Sequence, residues 1–533
     1  MPTAPNDPNA NASPALRTAD DTAIVIGAGL GGLASAMRLG AKGWRVTVID
    51  RLDTPGGRGS AIHQGGHRFD LGPTIVTVPQ VFRDLWSACG RDFDADVDLR
   101  PMDPYYEIRW PDGSTFTARQ STEAMRAEVA RLSPGDVKGY DRFLKDAETR
   151  YWFGFEDLGR RPMNRLWDLI KVLPTFARLR ADRSVAAHAA RRVRDPRLRM
   201  ALSFHPLFIG GDPFRVTSMY ALVSHLEKEF GVHYAMGGVA AIAAAMARVV
   251  EGQGGRLIRN AEVDEILKRD DGNGSRAAGV RLTDGQILPA RIVVSNADAG
   301  HTYDRLLRTR PRRRWTTPRL NRTRWSMSLF VWYFGTRGTR GLWPDVGHHT
   351  ILNGPRYRGL VRDIFLNGRL AEDMSLYVHR PTVTDPSAAP EGDDTFYALS
   401  PVPHLGHAKP VDWQAEAEPY RRKVLEVLEK SMLPGLSARL TESLVFTPET
   451  FRDRYLSPHG AGFSIEPTIL QSAWFRPHNV SEELPGLYLT GAGTHPGAGL
   501  PGVVASAEVL GKLVPDAPRR GARIVPALDL AAE

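Results

Sequence analysis

The chain has 533 residues, of which 42% are apolar and 24% charged, with a formal charge of +9. That length exceeds what one hydrophobic core organises, so two or three interleaved domains are expected. The single cysteine, Cys89, reads as a buried small hydrophobe and excludes both a disulfide framework and a multi-cysteine metal site. A basic surplus suits nucleic acid or anionic lipid, but no nucleic-acid-binding signature accompanies it, which ranks lipid first.

Residues 1–21 are rich in Pro, Asn, Ala and Asp and lack the basic and apolar regions of a secretory signal, so they read as a disordered lead-in. No window reaches the roughly 18 uninterrupted apolar residues of a spanning helix. The nearest, 232–250, reads as a packed helix after a glycine turn. The first ordered element is the apolar run Thr22–Ile26, a buried strand. Gly27-Ala28-Gly29-Leu30-Gly31-Gly32 then opens a small-residue helix over 30–42, Gly43 stops it, and 44–49 alternates as a second strand. This β-α-β unit begins a parallel, doubly wound α/β sheet.

The G-x-G-x-x-G between strand and helix carries dinucleotide-binding chemistry. Gly27 permits the tight turn, Gly29 lets backbone approach a pyrophosphate, and Gly32 lets helix and strand pack closely. The helix N-terminus, through Ala28 and Gly31, supplies amide donors and a favourable dipole. Asp50, 18 residues past Gly32, is placed to accept ribose hydroxyls. Arg51 follows, then Gly56-Gly57 with bare amides and Arg58 with a fixed positive fork for phosphate oxygens. Residues 69–73 read as wall beside the cofactor.

Further along, 100–112 reads as a hairpin before a Pro-Asp-Gly turn, and 121–199 reads mainly as helix. Within it, 165–182 alternates apolar and basic residues, with Pro174 breaking it into two pieces, and arginines continue at 183, 191, 192, 194, 197 and 199. That pattern suits a helix lying among anionic headgroups. Short strands return over 256–296 around Asp271-Gly272 and Asp284-Gly285, and 326–334 is an apolar strand. His348 and His349 are adjacent, so on a strand they diverge, and no metal site is expected. Near the end, Leu487–Leu489 opens into a second glycine turn, Thr490-Gly491-Ala492-Gly493-Thr494, followed by a helix over 502–513.

A cofactor served by both ends of the chain must be long. FAD fits, with its adenine half at the first turn and its flavin ring at the second; no other G-x-G-x-x-G follows a strand, which argues against a separate nicotinamide domain. The expected layout is a lead-in at 1–21, a nucleotide domain from 22–100, 235–300 and 480–514, and a substrate domain from 101–120 and 301–479. A helical region over 121–234 and a tail at 515–533 complete it.

With these residues in view, the chain resembles the bacterial-type phytoene desaturases of the FAD-dependent carotenoid and retinoid oxidoreductases, over almost its full length. The resemblance is carried by 25–58, 69–74, 204–238, 294–303, 375–405, 451–479 and 491–507. Its most specific parts are Phe208-Ile209-Gly210-Gly211-Asp212-Pro213-Phe214, Ser472-Ala473-Trp474-Phe475-Arg476-Pro477-His478 and the run from Gly491 to Gly499. It implies an amine-oxidase-like fold: a Rossmann-type FAD-binding domain assembled from discontinuous segments, a mixed α+β substrate domain and a helical membrane-associating region. It implies FAD as sole redox cofactor and a C40 carotenoid substrate, 15-cis-phytoene, desaturated through phytofluene and zeta-carotene to neurosporene or lycopene. A cytoplasmic protein held peripherally on the anionic membrane surface follows, with quinone or oxygen as candidate electron acceptor and no nucleic-acid partner. By the same resemblance Val263 holds the adenine end through its backbone, while Gly491, Gly493, Thr494, Gly502 and Val503 face the flavin. Asp168 and Lys171, one helical turn apart, match a polar pair that the family places near the flavin, although Arg is familiar at the position of Lys171. The bland alternative is a surface ion pair. Competing functions are a desaturase or isomerase of another carotenoid, and a non-enzymatic prenyl-lipid carrier of the same fold; the intact glycine turns argue against the carrier.

Overall fold

Strand Thr22–Ile26 is apolar on both faces because both are covered. In the computed structural model, which describes residues 20–270, 274–309 and 311–518, it is the middle of a five-stranded parallel sheet. The spatial order is Leu487–Leu489, Ile292–Ser295, Thr22–Ile26, Arg45–Ile49, Arg256–Ile258. Ala23, Val25, Val46 and Val48 pack on helices Leu30–Ala41, Gly238–Gly252 and Leu500–Leu513. Ile24, Ile26 and Val293 turn the other way, onto the antiparallel sheet of Val263–Asp270, Ser275–Leu282 and Ile287–Pro289. A sheet buried on both sides reads as continuous apolar runs, which is how these strands read. The expected Asp271-Gly272 turn, most of the lead-in and the end of the tail lie outside the described residues.

The second sheet has seven strands, in the order Leu440–Phe446, Ser328–Thr336, Asp394–Val402, Leu376–His379, His349–Leu352, Tyr106–Arg109, Thr115–Ala118. Every residue of Ser328–Thr336 is buried. Phe330, Trp332 and Phe334 pack in the core built on helix Trp413–Ser431, while Leu329, Val331 and Tyr333 join the core on the opposite side. The period of two thus splits this strand between two cores.

Two expectations need correction. Helix Leu166–Arg178 continues through Pro174 instead of breaking. A proline removes one backbone bond, and Pro174 and Ile170, whose carbonyl loses its donor, both sit on the exposed side of the helix. Cys89 is half-buried, with its thiol 3.6 Å from the Met37 carbonyl.

Arg380 and Asp394 are buried together behind the seven-stranded sheet, Nη2 to Oδ2 at 2.7 Å, and Asp394 also accepts from the hydroxyls of Thr339 and Thr382. Removing one partner strands a buried charge. Arg380→Ala is expected to lower stability by about 3–5 kcal/mol, measured by chemical denaturation.

Candidate functional site

The first glycine turn is held open by Asp50. Its Oδ2 accepts the Ala28 N–H at 2.6 Å and its Oδ1 accepts the Leu52 N–H at 2.8 Å, while burial pushes the carboxyl pKa up and these bonds oppose that shift. Gly27 sits at φ +94°, a conformation that favours glycine. A Cβ on Gly31 would lie 2.6 Å from Asn296 Oδ1 and 3.1 Å from the Gly491 Cα, so the two glycine turns meet with no room for side chains. The Asn296 amide fills the gap between them, and a Cβ on Gly491 would also be 2.6 Å from its Oδ1.

The second turn has its own ties. Arg476, fully buried, donates to the carbonyls of Ala492 at 2.8 Å and Ile465 at 3.0 Å. Asn479 Nδ2 reaches the carbonyls of Leu489 at 3.3 Å and His495 at 3.1 Å. His495 Nε2 in turn sits 3.0 Å from the Leu158 carbonyl, fastening the helical region to this turn.

Between the turns runs one continuous cavity of about 720 Å³. Of the residues expected at the cofactor, Gly27, Gly29, Gly31, Asp50, Arg51, Gly57, Arg58, Val263, Gly491, Gly502 and Val503 all line it. Ala28, Gly32, Gly493 and Thr494 stand one layer behind. Ala28 orients Asp50, Gly32 packs on the Gly27 carbonyl, Gly493 packs against Ser464 and Ala299, and the Thr494 N–H meets the Gly491 carbonyl at 3.1 Å. Arg51 is tied to Glu262 at 3.1 Å and to the Asp453 carbonyl.

Arg58 suits an anionic or carbonyl-rich cofactor. It is half-buried in the cavity wall, donates through Nη2 to Ser457, and its Nε has no partner among the described residues. Burial lowers its pKa and the nearby Asp298 opposes that. A Cβ on Gly57 would lie 3.3 Å from the Gly29 Cα, so bare backbone from the two segments meets close to Arg58.

Beyond the second turn the lining becomes apolar and aromatic. Tyr333 donates to the Leu71 carbonyl at 3.0 Å, Tyr397 to that of Gly72 at 3.2 Å, and the Tyr377 hydroxyl lies 2.8 Å from Thr74 Oγ1. Each polar tip is thereby tied back, and the rings remain for the cavity. The far end is lined by Leu169, Leu173, Phe176, Ile469 and Leu470.

Asp168 and Lys171 do not reach this cavity. Asp168 accepts the Arg165 backbone N–H at 3.0 Å at the start of helix Leu166–Arg178, and Lys171 is exposed. The helix turns Leu169 and Val172 inward, which puts the polar pair on its outer side. The sequence reading missed Asn296, the three tyrosines, and the parts that Arg476 and Asn479 play. The motifs over 294–303 and 472–478 contained Asn296 and Arg476 without revealing that they bridge two turns.

A cradle for a dinucleotide that ends in an apolar aromatic chamber defines a flavin-dependent oxidoreductase. The family profile "Flavin containing amine oxidoreductase" matches residues 30–508. The chain is 75% identical to a neurosporene-forming phytoene desaturase of Cereibacter sphaeroides, covering 96% of this chain and 98% of that one. It is 45% identical to a lycopene-forming phytoene desaturase of a Paracoccus species, over 94% and 98% of the two chains. Among solved structures, cyclohexylamine oxidase from Brevibacterium oxydans shares the fold with a TM-score of 0.56 at 15% identity, over 93% and 98% of the chains. The chain belongs to the flavin-containing amine oxidoreductase family, in the branch of the bacterial phytoene desaturases. Its cofactor is FAD.

Gly31→Val is expected to yield folded protein without flavin, since its side chain must displace Asn296 or Gly491; flavin absorbance per chain and circular dichroism together check this. A second prediction concerns Glu466, beside the second turn. Burial pushes its carboxyl up to about 7, with Arg215 opposing and Asp212 reinforcing the shift. The folded protein keeps this proton up to about 7, whereas an unfolded glutamate loses it near 4.5. Stability is therefore expected to fall as pH rises from 4.5 and to level off above 7. Glu466→Gln should flatten that slope in a plot of Tm against pH.

Proposed function

We propose that the chain desaturates phytoene, a C40 polyene, with neurosporene as main product and lycopene as the further one. The observation that carries this reading is a flavin cradle opening into an apolar chamber whose mouth is ringed by exposed apolar side chains. The greater identity to the neurosporene-forming relative favours that product.

Each step breaks two C–H bonds and makes one C=C bond: one hydrogen leaves with its electron pair, the other as a proton. Bound FAD supplies the hydride acceptor. The chain holds the polyene still, excludes water and lines the path with π systems. The rings of Tyr333, Tyr377 and Tyr397 border the chamber, where positive charge develops on the allylic carbons. Purified, flavin-loaded protein incubated with phytoene in liposomes should develop structured visible absorption whose position counts the steps. A flavin-loaded protein that leaves phytoene unchanged moves the substrate to another carotenoid.

We also propose that the mouth sits in the cytoplasmic membrane surface. No described helix is long and apolar enough to cross a membrane. Yet Leu166, Trp167, Ile170 and Leu173 on helix Leu166–Arg178 are exposed, Trp167 by 60%, and Leu470 across the opening is exposed by 69%. Arg165, Lys171 and Arg178 are exposed on the same helix, an arrangement that suits anionic headgroups. Further along, Arg180, Arg192 and Arg197 are paired with Asp182, Asp146 and Asp195, which leaves them less charge to offer lipid. A mouth in the bilayer also gives reduced flavin access to a membrane quinone, with oxygen as the alternative electron acceptor. Trp167→Ser combined with Leu470→Ser should weaken co-sedimentation with anionic liposomes about tenfold or more at unchanged flavin content; undiminished sedimentation removes this placement.

A further inference from the structure

Strands His349–Leu352 and Leu376–His379 pair antiparallel with His349 directly opposite His379, which sets both imidazoles on one face. His348 precedes its strand, so the alternation that would drive it away from His349 does not act. Its ring centroid lies 4.4 Å from that of His349 and 4.8 Å from that of His379. The expected divergence of the two neighbouring histidines is therefore not what the fold produces. One ring nitrogen from each of the three lies within 4.8 Å of the others, and the residues are only 4%, 2% and 1% exposed.

The bonding of these rings is one-sided. His348 Nδ1 lies 2.7 Å from Thr384 Oγ1, and His349 Nδ1 lies 2.7 Å from the Tyr377 hydroxyl. Nε2 of both, and both nitrogens of His379, have no hydrogen-bond partner among the described residues. The same holds for both carboxylate oxygens of Asp70, one of which stands 3.6 Å from His379 Nε2. Unpaired buried polar atoms are costly, so such a cluster marks a place for an occupant.

We propose that His348, His349 and His379 hold a divalent first-row transition ion of the zinc class, with the Asp70 carboxylate, 3.6 Å from His379 Nε2, as a neighbouring negative charge. Imidazole nitrogen is a donor such ions take, and three of them leave the fourth position of a tetrahedral ion to water. Thr384 and Tyr377 accept from the two Nδ1–H groups, which leaves each Nε2 lone pair for the metal and fixes ring orientation. Arg68, 3.8 Å from Asp70, is countered from its other side by Asp385 at 2.8 Å. The ion ties strand His349–Leu352, with His348 before it, to strand Leu376–His379 at one end of the seven-stranded sheet. Through Tyr377 and Thr74 it also stiffens the chamber wall.

The test uses flavin-loaded full-length protein, stripped by chelator and titrated with Zn²⁺ and with Co²⁺. One metal per chain, a raised Tm and, for Co²⁺, the absorption of a low-symmetry four-coordinate ion over the flavin spectrum are expected. His349→Asn and His379→Asn should abolish these signals, and Thr384→Val should weaken affinity about 10–100-fold. Should the histidine variants fail to fold, the wild-type cobalt spectrum and the Thr384→Val titration decide. Metal content at background in the wild type, or a cobalt spectrum indifferent to Thr384 and the histidines, overturns the proposal.

Discussion

Two backbone turns, one after residue 26 and one after residue 489, approach until a single added carbon on Gly31 would stand 3.1 Å from the Gly491 Cα. Close packing of bare backbone here puts both ends of a dinucleotide cavity into one wall, and the Asn296 amide fills what space remains between the turns. The supporting parts follow from this approach. Arg476 and Asn479 satisfy the carbonyls of the second turn, which would otherwise be buried unpaired. His495 carries the constraint outward to the Leu158 carbonyl, so the helical region is registered to the second turn by a hydrogen bond as well as by apolar contact.

The chamber depends on a second economy, the use of one strand for two purposes. In Ser328–Thr336 alternate residues belong to different cores, so the sheet that stabilises the molecule is also a wall of the chamber. Tyrosines suit that wall because their hydroxyls have backbone or side-chain partners behind it and their rings are indifferent to water. A polar substrate would find almost nothing to hold; a long hydrocarbon needs only shape and exclusion of solvent.

The nucleotide half was legible because its constraints are local. A strand, a glycine at each required spacing and an acid at the end of the next strand all fall within residues 22–50, and each acts on its near neighbours. The far end was legible as a second glycine turn, though only by assuming that one ligand serves both. What failed to show was anything set by pairing between distant strands or by helix orientation. The polar pair at Asp168 and Lys171 has the right spacing on its helix, but which side of that helix turns inward depends on Leu169 and Val172 finding a core. Likewise His349 meets His379 through a cross-strand register that neither residue's neighbours announce. Pro174 was judged by its intrinsic preference, and an exposed helix edge overrode it.

The joining of residues 27–32 to residues 491–503 also sets a clock. A ribosome delivers the first turn well before the second, so no chain stopped between them carries a whole cradle. Ligand binding stabilises only a state that can bind. Flavin can therefore stabilise only a chain that has reached the second turn.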